Sequence, residues 1–144
     1  MIDQKIYIHA DGGARGNPGV AAAGIFLDYP AEKVRLLCGK YLGMATNNFA
    51  EYQGVLLGLE KAAELVKGGA EAVFFLDSSL VVNQLNGLFK IKSALLGELN
   101  LKVREKEKLF TRVSYTHIPR EQNTQADSVV NRTLDAKKDF SQFI

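Results

Sequence analysis

The stretch of sequence that decides the fold is residues 6–19, which read IYIHADGGARGNPG. Its first half, Ile6 to Ala10, has the alternation and residue types of a β-strand. Four glycines and a proline follow within residues 12–19, and such residues interrupt regular elements. The sequence therefore predicts a strand that ends at Asp11, followed by a tight turn or loop.

Outward from this stretch, two more strands are predicted and the periodicity then becomes helical. Val20–Tyr29 and Val34–Leu42 are separated by a turn around Pro30, so with the first strand they predict an antiparallel meander. Apolar residues then recur at helical spacing, interrupted by one short apolar run and one alternating run. The predicted elements are helices over 46–67, 77–86, 93–109 and 123–138, and strands over 72–76 and 112–118.

The element order and the composition both indicate one α/β domain over residues 1–144. The order β-β-β-α-β-α-α-β-α contains no repeat, linker or low-complexity segment, and it favours a mixed sheet with helices on both faces. Hydrophobic residues make up 47% and charged residues 24% of the 144 residues, which is ordinary globular composition. This composition excludes a disordered or fibrous chain.

Charge and cysteine content exclude some classes and leave others open. The net charge of +2 neither requires nor excludes nucleic acid as a partner. The single cysteine, Cys38, excludes an internal disulfide framework and a four-thiolate zinc site, and it predicts a reducing, cytoplasmic setting. No apolar run approaches the roughly 20 residues that span a membrane. Polar residues from Asp3 onward interrupt the N-terminus, so we expect no signal peptide.

Four acidic residues stand at predicted strand ends or helix starts: Asp11, Glu51, Asp77 and Asp127. Each alone has a structural explanation, because acids near a helix start complement the dipole and Asp after a strand is a common turn residue. Side chains at such positions also converge at one sheet edge. Four converging carboxylates would repel one another without a cation, and oxygen ligands without nearby His or Cys favour Mg²⁺ or Mn²⁺ over zinc.

Four motifs around these acids resemble those of type 1 ribonucleases H, the RNase HI family. The first is residues 11–19, DGGARGNPG, and the second is residues 46–51, TNNFAE, in which a Thr-Asn-Asn run precedes the Glu. The third is Asp77-Ser78 after an apolar strand, and the fourth is residues 117–127, HIPREQNTQAD. The resemblance covers nearly the whole chain in the expected order, and its first two motifs are highly specific.

The resemblance implies a ribonuclease H-like fold, a five-stranded mixed sheet with three antiparallel strands and then two parallel ones. It also implies a monomeric endonuclease that hydrolyses the RNA strand of RNA–DNA hybrids and leaves 5′-phosphate and 3′-hydroxyl ends. Asp11, Glu51, Asp77 and Asp127 would hold two divalent ions, Mg²⁺ with Mn²⁺ as a substitute, which activate the attacking water and stabilise the leaving 3′ oxygen. Glu51 would also accept a hydrogen bond from a 2′-hydroxyl, the group that distinguishes RNA from DNA.

Residues that flank the acids are implied to bind the hybrid. These positions are Gly12, Gly13, Asn17, Thr46, Asn47, Asn48 and Ser78. The glycines have an alternative use as turn formers, and so has the Asn that precedes Pro18. One helix cap needs one side chain, so the Thr-Asn-Asn run exceeds what capping requires. By resemblance, Thr46 and Asn47 grip a DNA phosphate and Asn48 reads the minor groove.

Two residues compete for an auxiliary catalytic role near the leaving phosphate. His117 precedes Asp127 at the spacing where many bacterial relatives carry a mobile His that assists product release, but it also stands at the end of an apparent strand. Arg120 lies nearer to Asp127 in sequence, and a guanidinium binds phosphate through two hydrogen bonds. The sequence leaves both possibilities open. Asn123, in the same segment, is most simply the cap of the last helix.

The chain departs from the family pattern at two places. Ser79 follows Asp-Ser where many relatives have an amide or an acid, and the absence of Trp means that no tryptophan-containing basic protrusion is present. Because Lys90 and Lys92 are the only cations there before the charged helix, whose mixed signs indicate a solvated face, we expect weak affinity for the hybrid. The alternative function is a non-catalytic module of the same fold that binds hybrid or duplex nucleic acid, and the complete set of acids argues against it. The first two motifs disfavour a proofreading exonuclease or junction resolvase.

Overall fold

A six-stranded mixed sheet forms the centre of the computed structural model, which describes residues 4–144. The beginning of the polar N-terminal stretch, residues 1–3, lies outside the described residues. The strands are β1 (Gln4–Gly16), β2 (Gly19–Tyr29), β3 (Val34–Ala45), β4 (Ala70–Leu76), β5 (Arg112–His117) and β6 (Phe140–Phe143). The α-helices are α1 (Asn47–Leu65), α2 (Ser79–Leu85), α3 (Ala94–Glu107) and α4 (Thr124–Ala136).

The strands lie in the order β5-β4-β1-β2-β3-β6. The meander of β1, β2 and β3 is antiparallel, and β4 and β5 run parallel to β1, which confirms the predicted mixed sheet. The expectation of five strands is wrong, because β6 adds an antiparallel sixth strand and pairs Phe140 with Gly39 and Phe143 with Leu36. A four-residue strand is too short for alternation to predict it, and its place depends on the free edge of β3.

The glycine-rich stretch extends β1 instead of ending it. Its residues pair with β2 from Asp11 opposite Gly24 to Gly16 opposite Gly19, so the expectation of a strand end at Asp11 is wrong. The turn is confined to residues 17 and 18 between β1 and β2, and Gly16, the last residue of β1, has a φ of 95° that favours glycine. Strand preference depends on the neighbouring strand, and here a long antiparallel partner overrides the low strand propensity of glycine.

Helices cover both faces of the sheet. On one face α1 packs over fully buried side chains of β1 such as Ile6 and Ile8, with α2 and α3 beside it. On the other face α4 packs against β2, β3 and β1. Among residues 4–144, no helix is both long enough and apolar enough to cross a membrane.

Hydroxyl side chains begin three of the helices. The Oγ1 of Thr46 accepts a hydrogen bond from the backbone N–H of Phe49 at 3.2 Å, so Thr46 is the N-cap of α1. Ser78 and Ser93 cap α2 and α3 in the same way. Each cap satisfies a donor that the first turn of a helix leaves free. The caps bring Glu51 into the second turn of α1 and Asp77 directly before the cap of α2.

Candidate active site

Three of the predicted acids converge at one edge of the sheet. Asp11 lies within β1 and is 7% exposed, Glu51 lies on α1 and is 8% exposed, and Asp77 directly follows β4. One carboxylate oxygen from each of them can be chosen so that all three atoms lie within 4.8 Å of one another. This spacing suits three ligands of one cation.

Strand register explains why Asp11 and Asp77 meet. The parallel strands β1 and β4 pair His9 with Phe75, and each acid lies two residues beyond its member of this pair. Side chains at the same level of adjacent parallel strands lie side by side. The two acids, far apart in the sequence, are therefore neighbours in the sheet.

Glycine allows α1 to bring Glu51 against the same point. A Cβ on Gly12 would lie 2.1 Å from the carbonyl carbon of Ala50, and a Cβ on Gly54 would lie 2.7 Å from the carbonyl oxygen of Asp11. Such distances are far inside van der Waals contact, so only glycine permits this approach of helix and strand. The helix backbone beside Glu51 thus lies directly against β1.

Burial and mutual repulsion raise the pKa of both buried acids. Burial, followed by the negative charge of Asp77, raises the pKa of Asp11 to about 7. Burial also raises the pKa of Glu51 well above its usual range, with the charges of Asp11 and Asp77 adding to the effect. Both shifts have the same direction, since burial and neighbouring negative charge each disfavour the charged form of a carboxyl group.

The residues present fit a divalent cation. The Oε2 atom of Glu51 is buried and has no hydrogen-bond partner among the described residues, and two further carboxylates face it. A buried acceptor without a donor is costly, and a hard cation would satisfy it and cancel the repulsion. Asp11, Glu51 and Asp77 are the residues that would hold such an ion.

Asp127 belongs to the same surface groove, outside the tight group of three acids. It is half-buried in the first turn of α4, and its charge contributes to the raised pKa of Asp11. The Nδ2 of Asn131, one turn further along α4, donates to the backbone carbonyl of Asp127 at 3.2 Å. Asp127 is therefore available as a further ligand at the rim of the acid cluster.

The groove around the acids has a volume of about 440 Å³. It is lined by residues from β1, from the starts of α1 and α2, from the segment before α4 and from α4 itself. The lining residues are Asp11, Gly12, Gly13, Ala14, Arg15, Asn47, Asn48, Glu51, Asp77, Ser78, Arg120, Asp127, Val130, Asn131 and Leu134. The groove therefore includes all four acids and five of the residues expected to bind substrate.

Two asparagines brace the end of β1 against the start of α1. The Oδ1 of Asn47 accepts from the backbone N–H of Ala14 at 2.8 Å, and the Oδ1 of Asn17 accepts from the backbone N–H of Asn47 at 3.0 Å. The side chains of Asn47 and Asn17 are exposed, and their Nδ2 groups remain free to donate hydrogen bonds. Thr46, whose hydroxyl caps α1, lines a separate apolar hollow with Pro18.

The structure separates the two candidates for the auxiliary role. Arg120 lines the groove, whereas His117, the last residue of β5, is exposed and lies outside the described lining. Pro119, in extended conformation between them, begins the short 3₁₀ turn Arg120–Gln122. In this conformation the cation near the acids is Arg120.

Asn123 occupies the N-cap position of α4, as the sequence predicts, but its side chain has a different role. The side chain makes no capping hydrogen bond. The side chain is 1% exposed, and its Nδ2 donates to the backbone carbonyl of Ala10 at 3.0 Å and to Oδ2 of Asp77 at 3.1 Å. It points inward because these acceptors lie at the sheet edge beneath it, a tertiary relationship that the local sequence does not contain.

Sequence reasoning missed two polar residues of the groove, Arg15 and Asn131. The Nη2 atom of Arg15 lies 2.8 Å from Oδ1 of Asp135 and 3.5 Å from Oδ1 of Asn131. Arg15 stands inside the quoted glycine motif, and Asn131 stands one helical turn after Asp127. That helical spacing was the available signal for Asn131, because residues four apart share a helix face.

Comparison with known proteins places these features in one family. The family described as Reverse transcriptase-like matches residues 9–133. The chain is 40% identical over 134 residues to the bifunctional protein Rv2228c of Mycobacterium tuberculosis, covering 92% of this chain and 36% of that protein. It is 36% identical over 131 residues to ribonuclease HI of Halobacterium salinarum, covering 91% of this chain and 65% of that protein. The chain thus spans less than two thirds of the length of either relative.

Solved structures agree with the sequence comparison. The N-terminal RNase H domain of Rv2228c superimposes with a TM-score of 0.85 at 39% identity, covering 93% of this chain and 96% of that one. LC11-RNase H1, in complex with an RNA/DNA hybrid, gives a TM-score of 0.82 at 35% identity, covering 92% of this chain and 98% of that one. The family match over residues 9–133 includes the segments that carry the four acids. The chain belongs to the type 1 ribonuclease H (RNase HI) family.

Proposed function

We propose that this chain is an endoribonuclease that hydrolyses the RNA strand of RNA–DNA hybrids. The observation that carries the proposal is the convergence of Asp11, Glu51 and Asp77 in a groove that also contains Asp127. A buried cluster of acids destabilises the folded protein. A role in holding cations for phosphodiester hydrolysis explains why such a cluster is present. The solved complex of LC11-RNase H1 with an RNA/DNA hybrid supports this class of substrate.

The four acids would hold two divalent ions, Mg²⁺ or, as a substitute, Mn²⁺. When bound, such ions supply Lewis-acid activation of a water and neutralise charge on the leaving 3′ oxygen. Asp11, Glu51 and Asp77 form the inner part of this set, and Asp127 completes it from α4. The expected products carry 5′-phosphate and 3′-hydroxyl ends.

The remaining groove residues would bind and orient the hybrid. Gly13 leaves the wall of the groove free of a side chain, and Gly12 lines the groove with its backbone, so the RNA backbone can approach β1 closely. Glu51 is also proposed to accept a hydrogen bond from a 2′-hydroxyl, which would select RNA in the cleaved strand. Asn48 and Ser78 line the same groove beside the acids, where they can contact the substrate.

The complementary DNA strand would lie over the start of α1. Thr46, Asn47 and Asn17 lie together there, and the Asn amides that remain free to donate suit a phosphate oxygen. Arg120 is proposed as the auxiliary cation at the leaving phosphate because it lines the groove. We also propose a monomeric enzyme of the cytoplasm, to which the single buried Cys38 is suited.

A strand-specific cleavage assay tests the proposal. A hybrid with either strand end-labelled is incubated with Mg²⁺, with Mn²⁺ and with chelator, beside RNA–RNA and DNA–DNA duplexes. We expect cleavage of the labelled RNA strand of the hybrid alone, and only with a divalent ion. Equal cleavage of duplex DNA would contradict hybrid selectivity.

Variants of two carboxylates complete the test. Asp77→Asn should abolish cleavage with the fold intact, whereas Glu98→Gln, which removes an exposed carboxylate on α3, should behave as wild type. Near-normal cleavage by the Asp77→Asn protein would contradict the assignment of the site. Hybrid binding without cleavage by the wild type, with any divalent ion, would identify the chain as the non-catalytic module.

A further inference from the structure

Arg15 places a positive charge at the far end of the acidic groove. Its side chain is 52% exposed and lines the groove, and it contacts Asp135 and Asn131 of α4. Of the residues described as lining the groove, only Arg15 and Arg120 carry a positive charge. The groove therefore combines the four acids with two cationic side chains.

The strand geometry gives the distance between Arg15 and the acids. Asp11, Gly13 and Arg15 alternate along β1 and so share one face of the sheet, and a Cβ on Gly13 would lie 4.0 Å from Val130 of α4. Four residues of strand at about 3.3 Å each separate Arg15 from Asp11 by roughly 13 Å. This distance excludes contact with the atoms that react at the acid cluster.

The geometry of α4 gives a similar distance between the acids and the partner of Arg15. Asp135 lies eight residues after Asp127 on α4, which corresponds to about 12 Å at a rise of about 1.5 Å per residue. Strand and helix thus run side by side along the groove, and the Arg15–Asp135 ion pair closes its end. A nucleic-acid strand with its scissile phosphate at the acids would pass this pair with a neighbouring phosphate.

The Arg15–Asp135 ion pair is weak enough for a phosphate to replace Asp135 as the partner of Arg15. The side chain of Asp135 is 70% exposed, and an ion pair between exposed side chains contributes little to stability. A phosphate oxygen offers the guanidinium the same hydrogen-bonding geometry as a carboxylate. Asp135 can therefore hold the Arg15 side chain along the groove in the free protein and release it to a phosphate.

We propose that Arg15 binds a backbone phosphate of the hybrid away from the scissile position, and that Asp135 competes with this phosphate. The inference rests on the proposed function, because it assigns a contact for the same substrate. It gives the groove a cation that the short region around Lys90 and Lys92 does not supply. The structural alternative is that Arg15 only ties β1 to α4.

The two explanations predict opposite effects of Asp135→Ala on the affinity for the hybrid. If Arg15 binds phosphate, Arg15→Ala weakens binding of the hybrid, whereas Asp135→Ala removes a competitor and tightens it. If the pair only ties two elements together, either mutation breaks the tie and both have the same effect. Arg112→Ala is the matched control, since it removes an exposed cation at the start of the edge strand β5, outside the described lining of the groove.

The experiment measures KM and kcat for a short end-labelled hybrid with Mg²⁺, and Kd by fluorescence anisotropy in chelator, at several salt concentrations. We expect Arg15→Ala to raise KM and Kd about 5–10-fold with kcat unchanged, because the contact lies outside the reacting atoms. The slope of log affinity against log salt should fall by about 0.7–0.9, the value for one phosphate contact. Arg15→Lys should keep the wild-type slope, and Asp135→Ala should lower Kd about 2–3-fold.

Two results would overturn the inference. One is an Arg15→Ala protein with the KM and salt slope of the Arg112→Ala control. The other is an Asp135→Ala protein that loses affinity as Arg15→Ala does, which is the pattern of a structural tie. Failure of the proposed function looks different, because the wild type would then not cleave the hybrid with any divalent ion, whereas the Kd comparison of the Arg15 and Asp135 variants does not depend on cleavage.

Discussion

Asn123 joins the segment before α4 to the carboxylate of Asp77. Its Nδ2 donates to Oδ2 of Asp77 at 3.1 Å and to the backbone carbonyl of Ala10 at 3.0 Å, and the residue is 1% exposed. One amide therefore sets the orientation of an acid in the cluster and satisfies a buried carbonyl at the neighbouring strand. Asn123 is a positioning residue, since it acts on the site through Asp77.

Replacement of Asn123 by Ala should affect both stability and the site. Loss of the two hydrogen bonds leaves a buried carbonyl unpaired, so we expect the free energy of unfolding to fall by about 1–3 kcal/mol. We also expect a higher Mg²⁺ concentration for half-maximal cleavage, because Asp77 is no longer oriented. Denaturant unfolding and Mg²⁺ titration of cleavage measure the two effects.

The control for Asn123 is Asn86→Ala. Asn86 donates its Nδ2 to the backbone carbonyl of Tyr115 at 3.1 Å, away from the groove. This variant should lose stability and keep the wild-type Mg²⁺ requirement. An equal shift of the Mg²⁺ requirement in both variants would show that Asn123 has only a structural role.

Asp11→Asn should stabilise the metal-free protein at neutral pH. The pKa of this acid rises from its ordinary value of 3.8 to about 7 on folding, because of burial and the charge of Asp77, so the folded state binds more protons between these values. The contribution of Asp11 to the free energy of unfolding is therefore greatest below about pH 4 and is lost as the pH rises to about 7. The Asp11→Asn protein does not lose stability in this way, because asparagine does not titrate.

The measurement is denaturant unfolding in chelator across this pH range. We expect Asp11→Asn to exceed the wild type by about 1–3 kcal/mol at pH 8 and to differ little at pH 4, since each pKa unit corresponds to about 1.4 kcal/mol before solvent screening. Glu98→Gln, an exposed carboxylate, is the control. A difference between Asp11→Asn and wild type that does not change with pH would contradict the repulsion described for the cluster.

Gly12→Ala should separate α1 from β1. The new Cβ would lie 2.1 Å from the carbonyl carbon of Ala50 and 2.4 Å from the backbone nitrogen of Glu51, and backbone cannot yield as a flexible side chain does. We expect a loss of more than about 2 kcal/mol of stability together with a strong loss of cleavage, because Glu51 moves with the helix.

The matched substitution is Gly97→Ala on α3, where a Cβ meets nothing within 4 Å. Alanine is favoured over glycine inside a helix, so this variant should gain about 0.5–1 kcal/mol and cleave normally. Thermal or denaturant unfolding of both variants provides the comparison. A Gly12→Ala protein as stable and active as wild type would show that the close packing at Ala50 is not required.

Arg120 and His117 should differ in their effect on cleavage. Arg120 lines the groove and His117 does not, so Arg120→Ala should lower kcat by about 10–100-fold while His117→Ala changes it less than about twofold. Single-turnover kinetics separate chemistry from product release for both variants. A larger defect in His117→Ala, in either step, would return the auxiliary role to the histidine.

Local patterns in the sequence predicted most of the elements and the chemistry of the site. The cap at Thr46 or Asn47, the helical periodicity after it and the alternation of residues 112–118 all depend on neighbours a few residues apart, which is the range over which capping and periodicity act. The nature of the site followed from residue type, because Asp and Glu side chains offer only hard oxygen ligands. The acids stood out because the sequence placed them at predicted strand ends and helix starts, although Asp11 lies within β1.

Only the tertiary structure determined which strands pair and which distant side chains contact one another. β6 exists because β3 offers a free edge, and the glycine stretch is a strand because β2 pairs with it to Gly16. The side chain of Asn123 turns inward because acceptors from two strands lie beneath it, and Arg15 meets Asp135 because β1 and α4 run side by side. Each of these contacts joins residues distant in sequence, and its energy depends on packing and register that no local pattern specifies.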